Sequence, residues 1–305
     1  MSWSEEYWRS IKSFDTEEKL DLYFYRPVGF VIAKAAKQLG LTPDFLTVTG
    51  AILGLSSGLF FYRNSSNAML VSATALLLLA QIIDSSDGQL ARMGGGKGSK
   101  FGLILDGICD NIVFGAVYFG SALTVTHIWG SWIWPMALLA GALHSLESSA
   151  LDYYNREYLV FGYGKIDSDY WNPSDEEARA EVSSSSGFTR FMLKMRLTWI
   201  WQQNKLSTRT QDTRQAWRSL LGSSKATEFQ GLYRDHNRLI LRAWRLMGPN
   251  FHTIMILAFV FLRRFDLYLI LVDCLFLPAA LLVLRALQSK QDALLIDSLS
   301  RRGLR

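Results

Sequence analysis

Residues 84–110 read DSSDGQLARMGGGKGSKFGLILDGICD, and this stretch decides how the rest of the chain is interpreted. Strongly apolar runs flank it on both sides. Its spacing, D-x2-D-G-x2-A-R-x9-G-x3-D-x3-D, fixes eight positions, which are Asp84, Asp87, Gly88, Ala91, Arg92, Gly102, Asp106 and Asp110. Four carboxylates at the ends of hydrophobic helices are costly and need compensating partners.

Helix geometry gives this spacing a meaning. Asp84 and Asp87 are three residues apart, so they share one face of a helix. Gly102, Asp106 and Asp110 follow at intervals of four and form one stripe of a second helix. If the two helices pack antiparallel, all four carboxylates meet at one membrane depth. Such an all-oxygen set suits Mg²⁺, Mn²⁺ or Ca²⁺ rather than zinc, and two such ions could hold a pyrophosphate.

A simpler interpretation exists for each Asp taken singly, namely a solvated carboxylate or a helix cap. The complete set of eight positions argues against that interpretation. It resembles the signature of the CDP-alcohol phosphotransferase family, also called CDP-alcohol phosphatidyltransferases, and the similarity covers roughly residues 40–150. The resemblance implies six transmembrane helices, a homodimer and an active site facing the cytoplasm. It also implies a metal-dependent reaction in which a CDP-linked donor passes its phosphoryl-containing group to an alcohol and CMP is released.

The resemblance also implies roles for individual residues. The metal ligands would be Asp84, Asp87 and Asp106, holding two Mg²⁺ or Mn²⁺ ions. Asp110 is the candidate general base and a further metal contact, so Asp106 and Asp110 are the expected catalytic pair. Gly102 would allow close approach of a helix or nucleotide, and the CDP moiety would be bound by Gly88, Ala91 and Arg92.

The donor subclass is harder to assign. Choline and ethanolamine transferases of the eukaryotic type typically have His directly after the third Asp of the signature, where this chain has Gly107. The surrounding KFGLILDGICDN looks closer to the CDP-diacylglycerol type, which predicts CDP-diacylglycerol as donor and a small polar alcohol as acceptor. One alternative is a CDP-choline or CDP-ethanolamine type enzyme with diacylglycerol as acceptor. The other is a non-enzymatic membrane scaffold or transporter.

The resemblance and the apolar runs along the chain predict an all-α integral membrane protein with six transmembrane helices, an N-terminal interfacial amphipathic helix and a cytoplasmic insertion. Half of the 305 residues are hydrophobic, which fits a membrane core combined with a polar insertion. With six spans, both termini and the signature are cytoplasmic. The predicted spans cover residues 44–62, 67–92, 101–125, 131–151, 249–263 and 266–287.

The predicted organisation has four parts. The polar N-terminus is expected to form either a surface helix or an ordered cap over residues 1–26, followed by the amphipathic helix from Pro27. The insertion contains an amphipathic stretch at 188–204 that is expected to lie on the membrane. The parts are residues 1–43 with the interfacial helix, 44–151 with helices 1–4 and the signature, 152–245 as the insertion, and 246–305 with helices 5–6 and a tail.

Three further features complete the sequence-based prediction. His144 and Glu147 lie three apart in the fourth span and either line the acceptor pocket or hydrogen-bond each other. The glycine-rich, cationic loop 93–100 either shapes a phosphate site or is a flexible turn. A net charge of +5 suits an anionic membrane surface but is too small to indicate nucleic acid, and the two cysteines form no metal-ligand or disulfide pattern.

Overall fold

The computed structural model describes residues 2–63, 66–94, 100–165, 173–208 and 210–304. Within these ranges the chain forms helices and connections, with no strand. The α-helices are α1 (Trp3–Ser10), α2 (Arg26–Gln38), α3 (Pro43–Tyr62), α4 (Asn67–Met93), α5 (Lys100–Thr124), α6 (Thr126–Trp129), α7 (Ile133–Tyr163), α8 (Asp175–Ser183), α9 (Gly187–Leu206), α10 (Thr210–Leu220), α11 (Ala226–Trp244), α12 (Pro249–Phe261), α13 (Phe265–Leu267) and α14 (Leu277–Arg301). A π-helical segment, Tyr268–Phe276, joins α13 and α14 into one continuous helix.

Two compact units divide the chain. The first unit comprises Met1–Ser145 and His252–Leu275, and the second comprises Leu146–Phe251 and Phe276–Arg305. The long helix α7 and the short helix α12 contribute residues to both units.

The core of the first unit is built from α3, α4 and α5. Local sequence defines where two of these helices start, because Thr42 accepts a hydrogen bond from the backbone N–H of Phe45 and Ser66 does the same for Met69. Glycines then let α3 and α5 approach closely. A Cβ placed on Gly58 of α3 would lie 2.5 Å from the carbonyl oxygen of α5 residue 116, and one placed on Gly120 of α5 would meet the Gly58 carbonyl.

Among the described residues, four helices are long and apolar enough to cross a membrane: Pro43–Tyr62, Asn67–Met93, Phe101–Thr124 and Phe265–Arg301. They correspond to the first, second, third and sixth predicted spans. The predicted fourth span lies within α7 and the predicted fifth within α12, and neither is among the four. With 13 residues, α12 is about 20 Å long, shorter than the hydrocarbon core of roughly 30 Å. Six spans and an interfacial α2 therefore remain predictions.

The second unit has its own core, formed where the sequence predicts an insertion. Trp244 is fully buried and stacks on Tyr154, with ring centroids 4.4 Å apart. Its indole N–H donates to Gln288 Oε1 at 3.0 Å, and the Gln288 amide donates to Asn237 at 2.9 Å. Because Gln288 belongs to α14, residues beyond the sixth predicted span pack with the insertion helices instead of forming an isolated tail.

Candidate functional site

Helices α4 and α5 bring three of the four signature carboxylates together. Asp84, Asp106 and Asp110 each offer one oxygen atom, and these atoms all lie within 4.8 Å of one another. Asp84 and Asp106 are half-buried, whereas Asp110 is exposed. We call these three residues the carboxylate cluster. Asp110 is the most exposed residue of the cluster.

The fourth carboxylate, Asp87, is held by a third helix. It is buried with 8% of its surface exposed, and the Thr47 hydroxyl of α3 donates to its Oδ2 at 2.5 Å. Thr47 is itself buried, so its position is fixed by packing. A hydrogen bond from a buried hydroxyl orients this carboxylate as an outer partner orients a metal ligand.

The residues present fit a divalent cation. Three carboxylate oxygens at this separation repel each other strongly in a partly buried setting, and a cation between them removes that repulsion. Oxygen-only ligand sets are those that Mg²⁺ and Mn²⁺ prefer. That a metal ion is bound by Asp84, Asp87, Asp106 and Asp110 remains a prediction.

A small cavity adjoins the carboxylate cluster. Its volume is about 20 Å³, enough for a single water molecule. Its lining combines polar and apolar groups, with Thr47, Asp84 and Asp110 among the polar side chains and Cys109 and Val113 among the others. Cys109 is a buried free cysteine. Polar carboxylates and apolar side chains of α5 therefore line the same cavity.

We call residues 2–25 the N-terminal segment. Together with α2, this segment packs directly on α4, the signature helix that carries Asp84 and Asp87. Arg26 of α2 donates to the Ser85 carbonyl of α4 at 3.0 Å, while Glu17 binds the same guanidinium through two hydrogen bonds of 3.0 and 3.1 Å. The arginine side chain is 16% exposed and the glutamate side chain 6%. This geometry supports the ordered-cap interpretation of the N-terminus, with the Arg26–Glu17 pair fixing the backbone between Asp84 and Asp87.

Arg92, which the family resemblance assigns to the CDP moiety, also contacts the N-terminal segment. Its Nε donates to the Ser10 carbonyl at 2.5 Å. The neighbouring Gln89 amide donates to the Ser10 hydroxyl at 3.0 Å. The guanidinium lies over Gly88, where an added Cβ would be 3.3 Å from Nη1. Gly88 thus provides the space that the Arg92 side chain occupies.

Two lysines of α2 strengthen this attachment. Lys34 forms an ion pair with Glu6 of α1 at 2.8 Å, and this hydrogen bond lowers the pKa of the Glu6 carboxyl. Lys37 donates to the Met93 carbonyl at 2.9 Å, at the C-terminal end of α4. A cation at that position stabilises the helix end.

A second polar group, which we call the buried polar cluster, lies further along α5. It consists of Tyr118, His144, His252, Tyr268 and Asp273, all buried. The Tyr118 hydroxyl donates to the Asp273 carboxylate and lies 3.0 Å from His144 Nδ1. The Tyr268 hydroxyl lies 2.9 Å from both the Tyr118 hydroxyl and His252 Nδ1. The two imidazole rings stack with centroids 3.7 Å apart.

The structure places the remaining predicted site residues as follows. His144 belongs to the buried polar cluster, and Glu147 is fully buried on α7, so their acceptor role stays a prediction. Ala91 and Gly102 are half-buried near the ends of α4 and α5 that flank the signature loop. Residues 95–99 of that loop lie outside the described residues. The predicted role of the loop in phosphate binding therefore concerns residues that the structure does not describe.

Sequence reasoning missed several residues that shape the site. Tyr118 lies eight residues after Asp110 and continues its stripe along α5, a signal that was present in the spacing. Ser10, Arg26 and Gln89 carried no comparable signal, because their contacts join residues that are 59 to 82 positions apart.

Comparison with known proteins bears on the same region. Residues 40–175 match the family model described as CDP-alcohol phosphatidyltransferase. The phosphatidylinositol phosphate synthase of Corynebacterium glutamicum is 35% identical over 133 residues, covering 43% of this chain and 58% of the relative. The archaetidylinositol phosphate synthase of Pyrococcus horikoshii is 36% identical over 92 residues, covering 30% and 46%.

A third relative, the phosphatidylinositol phosphate synthase of Mycobacterium tuberculosis strain H37Rv, is 34% identical over 89 residues, covering 29% of this chain and 39% of the relative. The matched stretch therefore spans about two fifths to three fifths of the length of these relatives. No solved structure matches the chain.

Proposed function

We propose that the protein transfers a phosphatidyl group from CDP-diacylglycerol to the hydroxyl of a small polar alcohol, releasing CMP. The premise is that residues 40–175 match the family model described as CDP-alcohol phosphatidyltransferase. The observation that carries the proposal is the carboxylate cluster, in which oxygens of Asp84, Asp106 and Asp110 lie within 4.8 Å of one another. The relatives, named as synthases of inositol-phosphate lipids, support an inositol phosphate as the acceptor.

In the proposed reaction the acceptor hydroxyl attacks the phosphorus that carries the diacylglycerol. A new phosphorus–oxygen bond to the acceptor forms, the pyrophosphate bond breaks, and CMP leaves with the bridging oxygen. Asp110, the exposed member of the carboxylate cluster, accepts the proton of the hydroxyl. This role is assigned to Asp110 because it is the most exposed residue of the carboxylate cluster.

Asp84, Asp87 and Asp106 would hold the divalent cations, Mg²⁺ or Mn²⁺. When bound, such cations neutralise the pyrophosphate and the negative charge that develops on the departing CMP. The protein's own contribution is to fix the ligands before substrate arrives. Thr47 holds Asp87, and Arg26 holds the backbone between Asp84 and Asp87.

Nucleotide binding is assigned to the face of α4 that carries Gly88, Ala91 and Arg92. A guanidinium is always charged, and its planar set of N–H donors suits a nucleotide phosphate. In this assignment the N-terminal segment orients Arg92 through Ser10, so residues outside the matched domain take part in forming the site. A homodimer and a cytoplasmic active site follow from the family resemblance and belong to the same proposal.

The main alternative is transfer of a phosphoalcohol from CDP-choline or CDP-ethanolamine to diacylglycerol. Gly107 after the third Asp and the inositol-phosphate relatives favour CDP-diacylglycerol instead. The presence of all eight signature positions argues against a non-enzymatic scaffold or transporter. Convergent carboxylates between apolar helices are costly without a function, and CMP release distinguishes a transferase from a transporter that uses them as an ion pathway.

The test is CMP release by the purified full chain in detergent with Mg²⁺ or Mn²⁺. CDP-diacylglycerol is offered with inositol phosphate, glycerol phosphate or serine, and CDP-choline or CDP-ethanolamine is offered with diacylglycerol. We expect CMP only from CDP-diacylglycerol, with an inositol phosphate as the preferred acceptor. Release only from a CDP-linked amino alcohol would move the protein to the other subclass, and release from no donor by folded protein would support the non-enzymatic alternative.

A further inference from the structure

Helix α9 of the second unit has two chemically distinct faces. One face is buried within the unit and includes Met192, Leu193, Ile200, Gln203 and Leu206. The remaining surface of the helix exposes four large apolar side chains, which are Phe188 (65% exposed), Phe191 (57%), Met195 (46%) and Trp201 (48%). The first three are spaced i, i+3 and i+7, so they form one stripe of the helix. We call these four residues the aromatic stripe.

The aromatic stripe concentrates the exposed apolar surface of this region. Among the described residues of 152–245, seven large hydrophobic side chains are exposed, and four of them belong to the stripe. The other three, Tyr163, Leu221 and Leu239, lie on separate elements. Isolated exposed apolar residues are ordinary, whereas a contiguous group marks a contact surface.

The charges of α9 identify the kind of partner. The helix contains four basic residues, Arg190, Lys194, Arg196 and Lys205, and no acidic residue. Arg190, Lys194 and Lys205 are exposed, and helical spacing places them around Trp201, roughly 100° around the helix from the other three residues of the stripe. Arg190 also donates to the carbonyls of residues 182 and 183 at 3.3 and 3.1 Å, at the end of α8. Aromatic side chains that enter the interface, combined with cations that reach its headgroups, are typical of a helix lying on an anionic bilayer.

A second copy of this chain is a less suitable partner for the aromatic stripe than an anionic lipid surface. In a symmetric contact the same patch would meet itself, which would bring Arg190 and Lys194 of each copy close to the same cations of the other. An anionic lipid surface instead supplies the charge that α9 lacks. We propose that α9 lies in the interface of a bilayer that contains anionic phospholipid, with the aromatic stripe inserted among the lipids.

The test uses the unaltered full chain in lipid nanodiscs and does not depend on its catalytic activity. Hydroxyl-radical footprinting with mass spectrometry measures the oxidation of Met195 and Trp201 in discs with anionic lipid and in discs with zwitterionic lipid only. Tyr163 and Leu239, exposed on other helices and outside the aromatic stripe, serve as references within the same molecule. We expect oxidation of Met195 and Trp201 to fall several-fold, relative to these references, in anionic discs, and high salt to reverse much of this protection.

Two results would overturn the proposal. Oxidation of the stripe in anionic discs at the rate of the references would mean that α9 faces water. Equal protection in both kinds of disc, unaffected by salt, would mean that the stripe is covered without help from lipid charge, as in a contact between protein copies.

A pair of variants provides an independent readout. Phe191→Glu combined with Met195→Glu should raise the oxidation of Trp201 in anionic discs, because charge on the stripe prevents insertion. Leu239→Glu, at a 77% exposed position of α11, is the matched control and should leave Trp201 protected. A rise with the control alone, or with neither variant, would contradict insertion of the stripe.

Discussion

At the residue scale, the four signature carboxylates are not equivalent. Oxygen atoms of Asp84, Asp106 and Asp110 lie close to one another, and Asp110 is the most exposed residue of the three. Asp87 is buried and bound by the Thr47 hydroxyl at 2.5 Å. The four carboxylates belong to one sequence signature, but the difference between Asp87 and the other three arises from α3, which supplies Thr47. The proposed reaction needs both kinds of carboxylate: Asp110 as the proton acceptor and Asp87 as a metal ligand held in place by Thr47.

Thr47→Val should therefore reduce CMP release without unfolding the protein. The substitution keeps the shape of the side chain but removes the hydroxyl that donates to Asp87. A hydrogen bond to a charged group contributes about 1.5–3 kcal/mol, so a loss of about 10- to 100-fold in kcat/KM is expected. Thr47→Ser keeps the hydroxyl and is the control. Equal activity of the two variants would show that Thr47 does not support the site.

At the element scale, α2 and the N-terminal segment hold the signature helix. The Arg26–Glu17 pair is largely buried, whereas the Lys34–Glu6 pair is more open, with 33% and 20% of the two side chains exposed. Buried and open ion pairs respond differently when one partner is removed. The burial of Glu17 would leave an uncompensated charge, while Glu6 can be solvated by water.

Arg26→Gln and Lys34→Gln, both on α2, make this difference measurable. We expect Arg26→Gln to cost about 3–5 kcal/mol of stability because it strands the buried Glu17 carboxylate. Lys34→Gln should leave the unfolding temperature almost unchanged, because water solvates Glu6 once its partner is removed. Thermal unfolding in detergent, followed by loss of helical circular dichroism, compares the two variants. Similar unfolding temperatures for both would show that the N-terminal segment is not anchored through Arg26.

The contact between α3 and α5 offers a second comparison at this scale. Gly120→Ala would drive a Cβ into the Gly58 carbonyl, and α5 would have to move away from α3, displacing Asp106 and Asp110 with it. Gly115→Ala is the control on the same helix, because a Cβ there meets nothing within 4 Å. We expect Gly120→Ala to lose about 1–3 kcal/mol or more, and Gly115→Ala to be neutral or stabilising by up to about 1 kcal/mol. The two unfolding temperatures check this, and equal values would contradict the close contact.

At the scale of the whole molecule, the sequence predicted the convergence of the carboxylates better than the number of membrane-spanning helices. The signature places Asp84, Asp106 and Asp110 at helical intervals on two adjacent helices, so their convergence follows from local geometry. The contacts of Arg26 and Gln288 join distant parts of the chain, and no local pattern encodes them. Of the six predicted spans, four pass the test of length and hydropathy, and the polar second half of α7 and the shortness of α12 leave the other two open.

The number of spans has a direct topological consequence. With six spans the insertion lies on the cytoplasmic side, together with the N-terminus; with only the four candidate spans it would lie on the opposite side. We expect Ser224→Cys, at an exposed position of the insertion, to react with a membrane-impermeant maleimide only from the cytoplasmic side. Ser2→Cys should react from that side as well and Ser131→Cys from the other, and the unaltered chain gives the background of Cys109 and Cys274. Labelling of Ser224→Cys from the side of Ser131→Cys would overturn the six-span topology.

The most direct test of the central claim is the metal dependence of CMP release from CDP-diacylglycerol, measured on the full chain and on Asp106→Asn. The claim is that the carboxylates of α4 and α5 bind the divalent cations on which the transfer depends. After treatment with EDTA the unaltered chain should be inactive and should recover on titration with Mg²⁺ or Mn²⁺. Asp106→Asn should stay folded by circular dichroism and remain inactive at every metal concentration. Turnover that survives EDTA, or an Asp106→Asn variant with the metal dependence of the unaltered chain, would contradict the account.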